Sequence, residues 1–363
     1  MFGWLQVVIV KPGDIAVMAF AFAAYARVIC DPLAGLAISY DWIPLKSYAG
    51  LVVPAGQLLY AGGAVAVLTA LNILGVREGK WTQNLLTLVK ALGLLFIVGA
   101  ALLSPAPSEV TAPDFTPLPP SLALIFVLFA FGGWNEIAYV AAEVKNPRRN
   151  MVRALVLGLL SVTVLYLLVN GAFLYSLGYR GIAASQAVAA DSIAAAFPRR
   201  GGQIISALIC LSALGAVSGL IFTGARVSYA LGTGHRVFSV LGRWNARTGT
   251  PLRALLLQGI LAIGLIVVLG SFVNTILYTA AAVYTFYLAT SISVILLRRK
   301  EPRIDRPYRV TAYPLPTLVF STVCAWLIYS SVSYAIAYKP VGLCISLGVF
   351  LLGIVLYRIS SAR

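Results

Sequence analysis

Ten stretches of this chain are each long and apolar enough to cross a lipid bilayer, and that repetition limits the fold more than any other feature. A helical crossing takes about 20 apolar residues. The runs fall near 13–33, 50–75, 81–104, 119–142, 151–177, 201–231, 253–272, 275–298, 314–337 and 340–358. Backbone in lipid finds no water, so it must satisfy its own N–H and C=O groups, and a helix does this within one segment. The sequence therefore predicts an all-α, polytopic transmembrane helix bundle, a single domain over residues 1–363. The pair 253–298 is divided only by a short polar break at Gly270-Ser271.

Composition agrees with this and narrows the function. Hydrophobic residues make up 60% of the chain and charged residues 10%, well under the quarter that covers a water-facing surface. The net charge of +16 does not point to nucleic acid, because the basic residues form no continuous face. They sit in short loops: Arg77 and Lys80; Lys145, Arg148, Arg149 and Arg153; Arg236, Arg243, Arg247 and Arg253; and the stretch from Arg298 to Arg309. The alternate loops carry Lys46, Arg180, Arg199, Arg200 and Lys339. That asymmetry predicts a cytoplasmic N-terminus and residence in a cell membrane, plasma or inner. The Pro-rich stretch 105–120, with Glu109 and Asp114 and no Lys or Arg, fits an external loop. Residues 1–10 are apolar with no basic leader and no small-residue cleavage site, which does not make a signal peptide.

The four cysteines (Cys30, Cys210, Cys324, Cys344) have neither metal-ligand spacing nor a disulfide pattern, and the single histidine, His235, cannot build a metal site alone. No nucleophile–base pair is evident. Neither an enzyme, a metal nor a cofactor is expected.

The fourth run holds the strongest local signal, Phe129-Ala130-Phe131-Gly132-Gly133-Trp134-Asn135-Glu136. Each glycine weakens a helix by about 1 kcal/mol relative to alanine. A broken helix at mid-depth frees N–H and C=O groups that can hold a carboxylate and an ammonium. Gly132 and Gly133 equally suit close helix packing. Asn135 and Glu136 tilt the reading towards function, because polar groups at that depth are expensive.

Lys90 lies about 13 Å into its run, on one face with Gln83 and Thr87. It is read as an interior lysine that exchanges a proton, against the alternative of one that snorkels to the interface. In the sixth run Gly215, Gly219 and Thr223 form a small-residue seam; Ser212 and Ser218 either coordinate an ion or bond their own helix. Arg226 and Glu143 lie near the same membrane face and could pair as an inner gate, or stand as separate interfacial charges. Asp14, after Lys11-Pro12-Gly13, is read as capping the helix that resumes there, in preference to a substrate contact.

At these residues the chain resembles the L-type amino acid transporter family of the amino acid–polyamine–organocation superfamily. Phe129 to Asn135 with Glu143 and Asn146-Pro147 resembles that family's sixth helix and following loop. Asn72, Gly75-Val76-Arg77, Gln83 and Lys90 resemble its fourth-to-fifth helix junction, Gly215 to Arg226 its eighth helix, and Arg298 to Val310 the loop after its tenth. The resemblance implies a leucine-transporter-like inverted-repeat fold and amino acid exchange or proton-linked uptake by alternating access, against the alternatives of a non-transporting truncated remnant or a polyamine or other organocation transporter of the same superfamily. It implies Phe129 as an aromatic gate, and Ala130, Phe131, Gly132 and Gly133 as the unwound segment that meets the substrate amine, with Trp134 and Asn135 beside it. Lys90 would take the place of a coupling ion, and Ser218 and Tyr284 would face the site. Residues 1–33 resemble the family's third helix, so about ten of twelve helices are expected, and a chain of this extent is expected to insert without carrying amino acids unaided. Cys30 does not match the cysteine that joins animal members to a heavy chain, so no such partner is expected.

Overall fold

A computed structural model describes residues 1–40, 52–75, 80–103, 119–135, 144–197, 200–304, 306, 310–338 and 340–361. Eleven helices run in chain order among them: α1 (Phe2–Ile29), α2 (Ala55–Ile73), α3 (Lys80–Leu102), α4 (Pro120–Ala130), α5 (Pro147–Ala184), α6 (Val188–Ala196), α7 (Gly201–Gly234), α8 (Leu252–Leu269), α9 (Phe272–Lys300), α10 (Leu315–Tyr338) and α11 (Pro340–Ser361). Seven of the described helices are long and apolar enough to cross a membrane: α1, α2, α5, α7, α8, α9 and α10. The protein is an integral membrane bundle of helices. One small departure from all-α is a two-stranded antiparallel hairpin, β1 (Ala37–Ser39) with β2 (Val52–Pro54), leading into α2.

α1 is the central post. It packs on α2, α7, α8 and α9, and Ile15, Ala16, Ala19, Phe20 and Ala23 lie in one core with Val65, Val217, Ile221, Leu255 and Ile266. Small residues let these helices approach closely. A Cβ at Gly259 of α8 would lie 2.7 Å from Thr69 Oγ1 of α2, and one at Gly13 of α1 would overlap Thr279 of α9. A second core joins Val17 of α1 to Leu122 and Ile125 of α4, Tyr284 of α9 and Cys324 and Leu327 of α10.

The first helix differs from its expected form. It starts at Phe2 rather than near residue 13, and it runs through Lys11-Pro12-Gly13 without a break. Proline lacks an N–H and its ring crowds the carbonyl one turn back, so the helix must widen or stop. Here it widens into a π turn over Gln6–Val10, with the Lys11 N–H donating to Gln6 O. Asp14 therefore sits inside a continuous helix rather than at the start of one. The widening leaves Val7 O with no donor from its own helix, since the next N–H is spent on Gln6 and the one after belongs to proline. Gln258 of α8 supplies that donor, Nε2 to Val7 O at 3.1 Å, and also donates to Ser228 Oγ of α7 at 2.8 Å. Ser228 in turn donates to Gly224 O at 3.0 Å. One buried amide thus ties α1, α7 and α8 together.

The expected seam on α7 also shifts. Gly219 faces open space, whereas a Cβ on Gly224 would lie 3.1 Å from Gln258 Oε1 and 3.3 Å from Lys11 Cβ. The tight contact sits further along the helix because Gln258 and Lys11 fill the space over Gly224. At the α8–α9 junction Gly270 takes a left-handed φ of 66° and ends α8, and Ser271 Oγ caps α9 by accepting from Asn274 N–H at 3.2 Å.

Candidate functional site

α4 ends in the middle of its apolar run. Ala130 lies ten residues past Pro120, about 15 Å along the axis and half the thickness of a bilayer core. Phe131 N–H still donates to Val127 O at 3.1 Å, but Gly132 N–H tightens onto Phe129 O at 2.9 Å. Gly133 then turns the chain with φ +87°, a region that L residues avoid by about 1–2 kcal/mol. Both glycines are required for different reasons. A Cβ at Gly132 would lie 2.8 Å from Phe129 O, while Gly133 has open space and needs only the unusual φ.

The carbonyls that the break frees need partners. Tyr166 of α5 gives its hydroxyl to Ala130 O at 3.0 Å and sets its ring edge-on to Phe131, centroids 5.2 Å apart. Trp134 packs on Tyr287 of α9 at 5.2 Å and meets Phe320 of α10 edge-on at 6.5 Å. Tyr284 is buried and lies edge-on to Tyr287 at 6.1 Å, in the cluster against which Phe129 packs. The break is therefore held on one side by an aromatic cradle from α5, α9 and α10. Among the described residues its other side is uncovered: Ala130, Gly132, Gly133 and Trp134 are exposed. Aromatic faces beside loose backbone donors and acceptors suit a small zwitterion with a carbon side chain.

The other expected residues fall elsewhere. Lys90 is half-buried on the line Lys90, Gly93, Ile97, Ala100, the face of α3 that packs towards α6 and α7. Its helix also packs on α5, which touches the break. Ser218 Oγ accepts from Asn72 Nδ2 of α2 at 3.1 Å, so its hydroxyl joins α7 to α2. Arg226 is exposed and lies over the Phe222 ring of its own helix, 4.2 Å from the centroid. Glu136 and Glu143 lie outside the described residues. His235 is exposed in the loop after α7, and the described residues hold no group of metal-ligating side chains.

Several contributors were not singled out from the sequence. Tyr287 was legible in principle, since Tyr284 and Tyr287 share a helix face at i, i+3. Tyr166 and Phe320 look like any aromatic in an apolar run. Lys11, 2% exposed, and Gln258, fully buried, form a second polar centre that only the fold brings together.

The chain is similar to known membrane transporters. The family model described as amino acid permease matches residues 1–351. The mouse b(0,+)-type amino acid transporter 1 is 27% identical over 330 residues, covering 88% of this chain and 63% of the mouse protein. The rabbit large neutral amino acids transporter small subunit 2 is 29% identical across 98% of this chain and 64% of its own length, and the human protein of that name is 27% identical with the same coverage. The chain thus spans a little under two thirds of these relatives. With its broken fourth helix and its membrane-spanning bundle, the chain belongs to the amino acid permease family.

Proposed function

We propose that this protein carries amino acids across the membrane by alternating access, as exchange or proton-linked uptake, with the α4 break as the substrate site. The observation that carries the reading is the break itself: glycine backbone exposed at mid-bilayer depth beside a cradle of Tyr166, Tyr284, Tyr287, Trp134 and Phe320. Irregular backbone at that depth persists where it is buried or lines a cavity. Ala130, Phe131, Gly132 and Gly133 supply backbone groups to the substrate amine, and Phe129 and Trp134 close over its side chain. Asn135 adds a polar contact, and Tyr284 forms the wall behind. Lys90 is the coupling charge, acting through α3 and α5 rather than by touching the substrate. Arg226 and Glu143 form an inner gate, with the N-terminus on the cytoplasmic side. Ser218, held by Asn72 of α2, supports the coupling from α7.

The names of the relatives direct the first probe to large neutral amino acids. Binding of a radiolabelled panel, neutral and cationic, is measured on the detergent-solubilised protein and on Gly133→Leu. The variant is expected to insert in the membrane and stay monodisperse while losing binding, because leucine neither adopts φ +87° easily nor leaves the backbone open. Unaltered binding in Gly133→Leu would remove the break from the site.

A further inference from the structure

The loop between α7 and α8 is basic in sequence. The structure gives it a shape. It opens with a 3-10 turn over Arg236–Phe238, and successive turns carry Leu241 N–H to Phe238 O at 2.8 Å and Gly242 N–H to Ser239 O at 3.1 Å. Its second half is closed by Asn245 N–H to Thr250 O at 3.0 Å and Arg247 N–H to Asn245 Oδ1 at 3.0 Å. The whole loop is pinned to the end of the bundle. Gly242 backbone lies against Gly232 of α7, so close that a Cβ at either would overlap the other chain segment. Phe238 stacks on Trp4 at 5.6 Å, Trp244 sits edge-on to Tyr229 at 5.3 Å, and Thr248 O lies 2.6 Å from where a Cβ on Gly75 would be.

What this fixed loop presents outward is a mixture. Val237, Val240 and Trp244 are exposed at 42%, 55% and 48%. Arg236, Arg243, Arg247 and, at the start of α8, Arg253 are exposed among them. No Asp or Glu occurs anywhere between Asp191 and Glu301, so nothing on these elements offsets the four guanidiniums. We propose that this surface is a docking site for anionic phospholipid headgroups of the surrounding bilayer. Charge complementarity favours an anion, and the apolar residues decide which kind. Among partners, the lipid–water interface offers phosphates and hydrocarbon within one side chain's reach, at the level where two spanning helices end. Tryptophan is enriched at that level for the same reason. Free phosphate would use the arginines and leave Val237, Val240 and Trp244 in water; a nucleic acid would do the same.

The test uses the full chain in lipid nanodiscs. Trp244 fluorescence is isolated as the difference between the protein and Trp244→Phe, and lipids brominated in the upper acyl chain serve as quenchers. Brominated phosphatidylglycerol in a phosphatidylcholine background is expected to quench Trp244 several-fold more than the same amount of brominated phosphatidylcholine. Juxtamembrane arginine contributes about 1 kcal/mol to anionic-lipid attraction, which is about fivefold in local enrichment. Arg243→Gln with Arg247→Gln should therefore abolish most of the preference while leaving insertion and monodispersity intact, both side chains being exposed. Equal quenching by the two lipids overturns the proposal. So does reversal of the preference by inorganic phosphate at matched ionic strength, which would make the loop a simple anion site.

Discussion

The amide of Gln258 allows a quantitative test of why the first helix stays whole. Replacing Gln258 by leucine keeps the volume roughly constant and removes both donated bonds, to Val7 O at 3.1 Å and to Ser228 Oγ at 2.8 Å. Ser228 keeps its bond to Gly224 O, so the main damage is the Val7 carbonyl, on a residue 1% exposed. A buried acceptor left without a donor costs about 1–3 kcal/mol. Part of that is returned, because Gln258 Oε1 has no hydrogen-bond partner and leucine removes it too. The expected net loss is about 1 kcal/mol, within the range of interhelical hydrogen bonds in membrane proteins. The decisive measurement is a double-mutant cycle with Pro12→Ala, each protein unfolded thermally or by denaturing detergent from the same mild micelle. Alanine at 12 restores the missing N–H. Whether the helix then relaxes to α geometry or stays wide, Val7 O gains a donor from its own chain. In that background Gln258→Leu should cost nearly nothing, giving a coupling of about 1 kcal/mol between residues 246 positions apart. A coupling near zero would show that Gln258 is not compensating for Pro12, and the account of the π turn would fail.

Tyr166→Phe removes only the hydroxyl that Ala130 O accepts at 3.0 Å; it is expected to weaken substrate binding by about 1 kcal/mol, roughly fivefold, while the ring contact with Phe131 persists. An unchanged dissociation constant would mean that the break holds its shape without this bond. In a form of the protein that carries amino acids into proteoliposomes, Lys90→Ala is expected to lose most of the uptake rate; a variant that transports as before would reduce Lys90 to a structural role.

The helices were legible because lipid leaves few alternatives: an apolar run of about 20 residues is a helix or it is nothing. The errors came where a distant residue changes the local outcome. Lys11-Pro12-Gly13 reads as a stop, and in isolation it would be one; it continues because Gln258, far along the chain, supplies the donor that proline withholds. Gly219 reads as a contact glycine and Gly224 does not, yet only Gly224 has Gln258 and Lys11 above it. The glycine break carries its own signature, since φ +87° at Gly133 is a local property. Its aromatic cradle does not, because Tyr166, Tyr287 and Phe320 differ from lipid-facing aromatics only in what lies opposite. Ser218 shows the same limit: its bond from Asn72 joins two runs that neither run announces by itself.

α5 has one further consequence. Little of it is buried inside the protein, it packs on α3 and α6, and near mid-length Tyr166 reaches across to Ala130. The helix that carries Lys90 and the carbonyl at the glycine break are thus both attached to the same exposed strut. A tilt of α5 about its contact with α3 lengthens or shortens the Tyr166–Ala130 bond directly, so the openness of the break becomes a readout of where α5 leans.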